Sequence, residues 1–125
     1  MNQQNQIKDN YKHLEMLDDE TMQMLHEYSE GSPEVIQDII DSFEPEADKL
    51  MEEITRARKS KDTELLRVAS HSLSGISGSI GAFRLKQMAS DTENAIKAGK
   101  TDEAFLIAGA IQSTYDELLQ LLKKM

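Results

Sequence analysis

Apolar residues recur along this chain at steps of three and four, the period of an amphipathic helix, and nowhere alternate as they would in a half-buried strand. Leu14, Leu17, Met22, Leu25 and Tyr28 give one side to a short first helix over Asp18–Ser29, closed by the turn Glu30-Gly31-Ser32-Pro33. Ser32 suits an N-cap, Pro33 the first helical position and Glu34 the positive helix end, so a second helix is expected from Pro33 to Arg58. Ile36, Ile39, Ile40, Phe43, Ala47, Leu50, Ile54 and Ala57 carry its rhythm across Pro45, which predicts a bend near residues 41–45 rather than a break. Asp62 is placed to cap a third helix, Thr63–Ile80, which Gly81 ends. A fourth, Ala82–Ala98, uses Leu85, Met88, Ala89, Thr92, Ala95 and Ile96 and stops at Gly99. Thr101 is expected to cap the last helix, whose seam is Ala104, Ala108, Ile111, Tyr115, Leu118, Leu122 and Met125.

Short loops between long amphipathic helices make neighbours antiparallel. The expected fold is therefore all-α: an up-down-up-down four-helix bundle with an additional short N-terminal helix over one end or side. Residues 14–125 form that domain, and residues 1–13 are expected to be a flexible N-terminus.

Composition narrows the chemistry. The 125 residues suffice for one domain. The absence of cysteine excludes disulfides and cysteine-held zinc, and a net charge of −9 argues against nucleic acid as a partner. No apolar run is long enough to span a bilayer, and the polar start Met-Asn-Gln-Gln-Asn-Gln lacks a secretion signal, so a cytoplasmic protein is expected; the initiating methionine and polar start slightly favour a free-standing chain over a piece of a longer sensor kinase. No phosphate-binding Gly-x-x-x-x-Gly-Lys-Ser/Thr loop is present, and His13, His26 and His71 lack metal-ligand spacing. His26 and His13 read as surface residues. Most of the seven methionines fall on or beside seam positions, with Met88 near enough to His71 to meet a partner.

The third helix holds the candidate chemistry. Residues 70–81 read Ser-His-Ser-Leu-Ser-Gly-Ile-Ser-Gly-Ser-Ile-Gly. Leu66, Ala69, Leu73, Ile76 and Ile80 make its buried stripe, and at about 100° per residue His71 falls on the opposite side. Arg67, Ser74, Gly75 and Gly78 share that outer face. Helix-interior glycine costs roughly 1 kcal/mol relative to alanine. Two such glycines beside an exposed imidazole trade stability for access; close helix packing is the other use of such glycines. A partly unprotonated imidazole is a competent nucleophile near neutral pH.

His71-Ser72-Leu73-Ser74-Gly75, followed by Ser77, Gly78, Gly81 and Ala82, resembles the signature of histidine-containing phosphotransfer (HPt) domains. Phe43, Pro45, Leu50, the Asp62 loop, Leu85, Glu93 and Ala98-Gly99 also fit that family's pattern, so the resemblance covers about residues 17–124. It implies a phosphorelay carrier in two-component signalling. His71 would accept a phosphoryl group from a receiver-domain aspartate and pass it to another receiver. Such a domain has no ATP site or autokinase activity, needs no cofactor of its own, and leaves magnesium to its partner. The expected partners are response-regulator receivers or a hybrid sensor kinase, met by a monomer through a modest apolar patch with Ile76 or Phe83 at its rim, without nucleic acid or membrane.

The resemblance also assigns roles. Glu93 stands where the family commonly has Glu or Gln and would fix the ring tautomer. Gly75 would give the phosphoryl group room. Ser74 departs from the pattern, which usually has lysine there. Arg67, one turn before His71, is the first substitute for that charge, with Lys97 or Arg84 behind it; Arg67 could instead pair with Glu64. Ser74 keeps a second reading open, a module that docks on a receiver or kinase and blocks it without carrying phosphate. A kinase dimerisation helix pair fits less well, because such helices have an acid directly after the histidine and a proline soon after, where this chain has Ser72 and no nearby proline.

Overall fold

The computed structural model describes residues 3–28, 30 and 32–124. Six α-helices follow one another: α1 Gln3–Asn10, α2 Asp19–Tyr28, α3 Pro33–Ser60, α4 Thr63–Ser79, α5 Phe83–Lys97 and α6 Thr101–Lys123. No strand occurs among the described residues. The helix α5 packs on both α4 and α6, α4 packs on α3, and α3 closes more loosely onto α6. Residue pairing across α4 and α5 descends as the chain ascends: His71 meets Glu93, Ser74 meets Ser90, and Gly78 meets Lys86. These two helices therefore run antiparallel.

The helix boundaries follow from backbone chemistry. Asp62 accepts the Leu65 N–H at 3.0 Å, the N-cap expected for α4. Asp18 caps α2 in the same way, accepting from the Thr21 backbone at 2.9 Å. Gly81 and Gly99 turn the chain at positive φ, 76° and 77°. At Gly81 a side chain would also strike Thr21, 2.8 Å from a Cβ placed there. The helix α3 runs unbroken through Pro45. Ser32 sits at its N-cap without a side-chain bond. The cap expected from Thr101 is replaced: the Lys100 N–H closes α5 onto Ala95 O at 2.8 Å, so Lys100 becomes the flanking residue and Thr101 already lies in α6. Ser29 at the end of the expected first helix, Gly31 of the turn expected at 30–33 and Met125 of the last seam lie outside the described residues.

The core matches the predicted stripes of the long helices, but α2 buries no residue: on the stripe predicted for it Leu14, Leu17, Met22 and Leu25 are half-buried, and Tyr28, expected on the apolar side, is 82% exposed at the helix end. Ile54, Leu66, Leu73, Leu85, Met88, Ile111 and Leu118 are among its fully buried side chains. On α4, however, Ser70 and Ser77 are completely buried whereas Ile76 is only half-buried. Their small side chains let α4 lie close to its neighbours, and both hydroxyls lack a hydrogen-bond partner. Tyr115 joins α6 to α3 through Asp48 and an edge-tilted contact with Phe43, ring centroids 6.5 Å apart.

Where a flexible segment was expected at 1–13, the structure has a helix. In α1, Lys8 donates to Ser113 (2.7 Å) and to Glu117 (2.9 Å) on α6. Tyr11, buried, donates to Asp91 on α5 at 2.6 Å, and burial followed by the Asp91 carboxylate pushes its hydroxyl pKa well up. Ile7 and Tyr11, one turn apart, form an apolar pair too short to register as a periodic pattern. The chain then crosses the start of α5, where Arg84 donates to Leu14 O (2.9 Å) and Lys12 O (3.1 Å).

Two substitutions test this account. Ser77→Ala removes a buried, unpaired hydroxyl and is expected to stabilise the domain by about 1 kcal/mol. Asp62→Ala removes a cap and is expected to cost about 1 kcal/mol. Urea unfolding followed by circular dichroism should move the two midpoints in opposite directions at unchanged slope.

Candidate functional site

The seam between α4 and α5 carries a ladder of side chains. At its centre the His71 side chain is 72% exposed, and its Nδ1 lies 3.0 Å and 3.1 Å from the two carboxylate oxygens of Glu93. The Glu93 side chain is only 10% exposed, and Lys97, one turn further on, approaches the same carboxylate at 3.4 Å. Burial pushes the Glu93 pKa up, but the His71 and Lys97 contacts outweigh it, so the group titrates below the usual glutamate range. Glu93 is thus ionised at neutral pH and can only accept. A neutral His71 ring with its proton on Nδ1 would donate to that carboxylate and leave its lone pair on Nε2.

One turn along, Ser74 and Ser90 face each other with hydroxyl oxygens 2.6 Å apart. Gly75 is open: an added Cβ would meet nothing within 4 Å. Gly78 is not. There the stem of Lys86 crosses the helix, 2.9 Å from an added Cβ, so this glycine admits α5 rather than a visitor. The packing use of glycine holds at Gly78 and the open one at Gly75.

The cations expected near the ring are distributed differently. Arg67 is engaged by both carboxylate oxygens of Glu64, its own helix neighbour, and feels Glu93 only as a weaker, more distant charge. Arg84 is outside the site, tied to the N-terminal segment. Lys97 is the cation in contact with the His71 partner. Met88, expected near a visiting partner, is fully buried, its sulfur accepting from Thr114 at 3.3 Å. Ser90 is the residue that periodicity did not single out: a half-buried serine on α5 carries no signal until the register with Ser74 is known. Exposed apolar surface flanks the ring at Val68 and, farther along, at Phe83. Among the described residues no three histidine or carboxylate groups converge as a metal site, and no helix is long and apolar enough to cross a membrane.

Comparison with known proteins identifies the family and the fold. The Hpt domain family matches the chain over residues 38–122, which is most of its length, and the chain belongs to that family. Its fold is similar to the crystal structure of histidine-containing phosphotransfer protein B (HptB) from Pseudomonas aeruginosa PAO1, with a TM-score of 0.77 and 22% identity over 89% of this chain and 94% of that one. Curated proteins gave no match.

The tautomer argument has a direct check. Nitrogen-15 NMR of the neutral His71 ring should show Nδ1 protonated and Nε2 bare. In Glu93→Ala that preference should relax toward a mixture. An unchanged tautomer in the variant would show that Glu93 does not set it.

Proposed function

We propose that this chain is a phosphorelay carrier in which His71 Nε2 takes a phosphoryl group from the aspartyl phosphate of one receiver domain and yields it to the aspartate of another. The observation that carries the reading is an exposed imidazole whose inner nitrogen rests on a buried, ionised carboxylate. In the forward step the Nε2 lone pair forms the N–P bond while the P–O bond to aspartate breaks, and its electron pair leaves with the aspartate carboxylate. The ring gains positive charge as this happens. Glu93, already negative and already placed, opposes that charge without reorganising. The reverse step on a second receiver restores the neutral ring.

The remaining residues divide the work. Gly75 leaves room beside the ring for three phosphoryl oxygens and for an approaching loop. Lys97 supplies positive charge, and Arg67 adds to it from its pair with Glu64. Because transfer to and from phosphorus is governed by positioning and charge, a stiff helical platform is adequate machinery. The partner receiver would bring its own metal ion. Docking would use the apolar surface beside the ring, Val68 and Ile76 with Phe83 at the rim, in a small and short-lived contact.

A second reading, a blocker that binds a receiver without accepting phosphate, draws on the absence of an ammonium group at Ser74. Mixing the protein with a phosphorylated receiver separates the two. The carrier reading expects phosphate to move onto this chain as an acid-labile, base-stable adduct, and expects His71→Gln to abolish that transfer while the helical circular dichroism stays intact. Transfer that survives in His71→Gln, or tight binding without transfer by the unaltered protein, would refute it.

A further inference from the structure

The contact between Ser74 and Ser90 has no part in the ring chemistry described so far, yet it stands one turn from His71 on the same seam. Residues three apart on a helix are neighbours, so Ser74 adjoins the space into which a group on His71 Nε2 would project. Each hydroxyl has one proton and two acceptor lone pairs. In a contact of 2.6 Å one of the two protons is used and the other is not. When Ser90 donates, the Ser74 proton remains available, and donation into Ser74 polarises that hydroxyl and makes it a stronger donor. Ser90 is fixed by the same helix that fixes Glu93, three residues away, so the pair and the ring share one register.

Resting on the carrier reading, we propose that Ser74 and Ser90 form an uncharged donor relay for the phosphoryl group on His71, Ser90 donating to Ser74 and Ser74 to a phosphoryl oxygen. Ser74 then touches the transferred group, and Ser90 is a positioning residue that acts through it. The pair holds the phosphoryl group by direction rather than by charge. The dianionic phosphoryl group carries more charge on its terminal oxygens than the loose, metaphosphate-like transition state of its loss. Donors to those oxygens therefore slow spontaneous hydrolysis.

The test needs no identified receiver. Phosphoramidate can load histidine chemically: the Nε2 lone pair forms the new N–P bond, and the original P–N pair leaves as ammonia. Phosphorus-31 NMR of the full chain then reports both the chemical shift of the phosphohistidine and its decay. Serine-to-alanine changes raise helix propensity, so the fold is retained. The proposal expects Ser74→Ala and Ser90→Ala each to shorten the phosphohistidine lifetime roughly threefold to tenfold and to move its shift in the same direction. The double variant should decay no faster than the faster single one, as for groups that act as a unit. Ser90→Thr, which keeps the hydroxyl, should restore the lifetime. Wild-type decay in Ser90→Ala, or two independent and additive effects, would overturn the relay and leave the carrier reading standing. If phosphoramidate leaves His71 of the unaltered chain unmodified, the carrier reading fails and the relay with it.

Discussion

A carboxylate held nearly out of solvent beneath an exposed imidazole is the contact around which this molecule is organised. Burying Glu93 alone would be costly, and a carboxylate in that position would take up a proton rather than stay charged. It stays charged because His71 approaches from α4 and Lys97 from its own helix, and the combined attraction exceeds the cost of burial. The consequence reaches the solvent side of the ring. On the proposed carrier role, a proton held on Nδ1 by Glu93 would leave Nε2 as the nitrogen offered to another molecule, with no further residue needed to select it.

That contact is possible only if α4 and α5 lie close and in one register. The α4 surface toward its neighbours sets small side chains between the large ones, Ala69, Ser70 and Ser77 buried beside Leu66 and Leu73, with the Lys86 stem lying over Gly78. The turn between the helices is fixed by Gly81 at positive φ, and the segment before α2 is bonded to the same turn, Asp18 N–H to Gly81 O at 2.7 Å. Arg84 adds two further bonds to the strand of chain that leads there. A shift of one residue in α5 would carry Glu93 about 100° around its axis and away from the ring. The N-terminal segment therefore bears on the site indirectly, by holding the end of the hinge that sets the register. It also explains why unpaired hydroxyls at Ser70 and Ser77 are tolerated: larger or better-satisfied side chains would part the helices.

The helices and the exposed histidine were legible in the sequence because both depend on period, which is local. Asp62, Gly81 and Gly99 punctuated the chain where capping chemistry says they should. Ser74 was placed beside His71 by helical spacing, whereas Glu93 was reached through a family resemblance, and the structure brings Glu93 to the ring. What escaped were facts of register between helices. Ser90 is one of them. Another is the partner of Arg67: on one helix Glu64 and His71 compete for it from opposite sides, and nothing in the sequence ranks them. Gly75 and Gly78 looked alike on a helical wheel, yet only Gly78 has a side chain, that of Lys86, lying across it. The helix α1 was missed for a different reason. Its apolar content is Ile7 alone, with Tyr11 just past its end, and what ties the segment down is long-range, Lys8 to α6 and Tyr11 to α5.

The distribution of charge around His71 suits a group that is only held in passing. A carrier gains nothing from binding its cargo tightly, since every favourable contact with the phosphoryl group in the resting adduct must be given up in the next transfer. An ammonium beside the phosphoryl oxygens would deepen that well, and in this chain two cations of the site are already paired with carboxylates, Lys97 with Glu93 and Arg67 with Glu64. Their fields reach the site, but their direct bonds are elsewhere. A neutral hydroxyl at position 74 keeps direction and gives up depth. On the proposed carrier role, a phosphohistidine here would stand at higher transfer potential than one beside a lysine, and an acceptor would add to the charge of Lys97 and Arg67 at the moment of contact. Release would then depend on the arrival of a partner, which is the property a relay requires of its middle member.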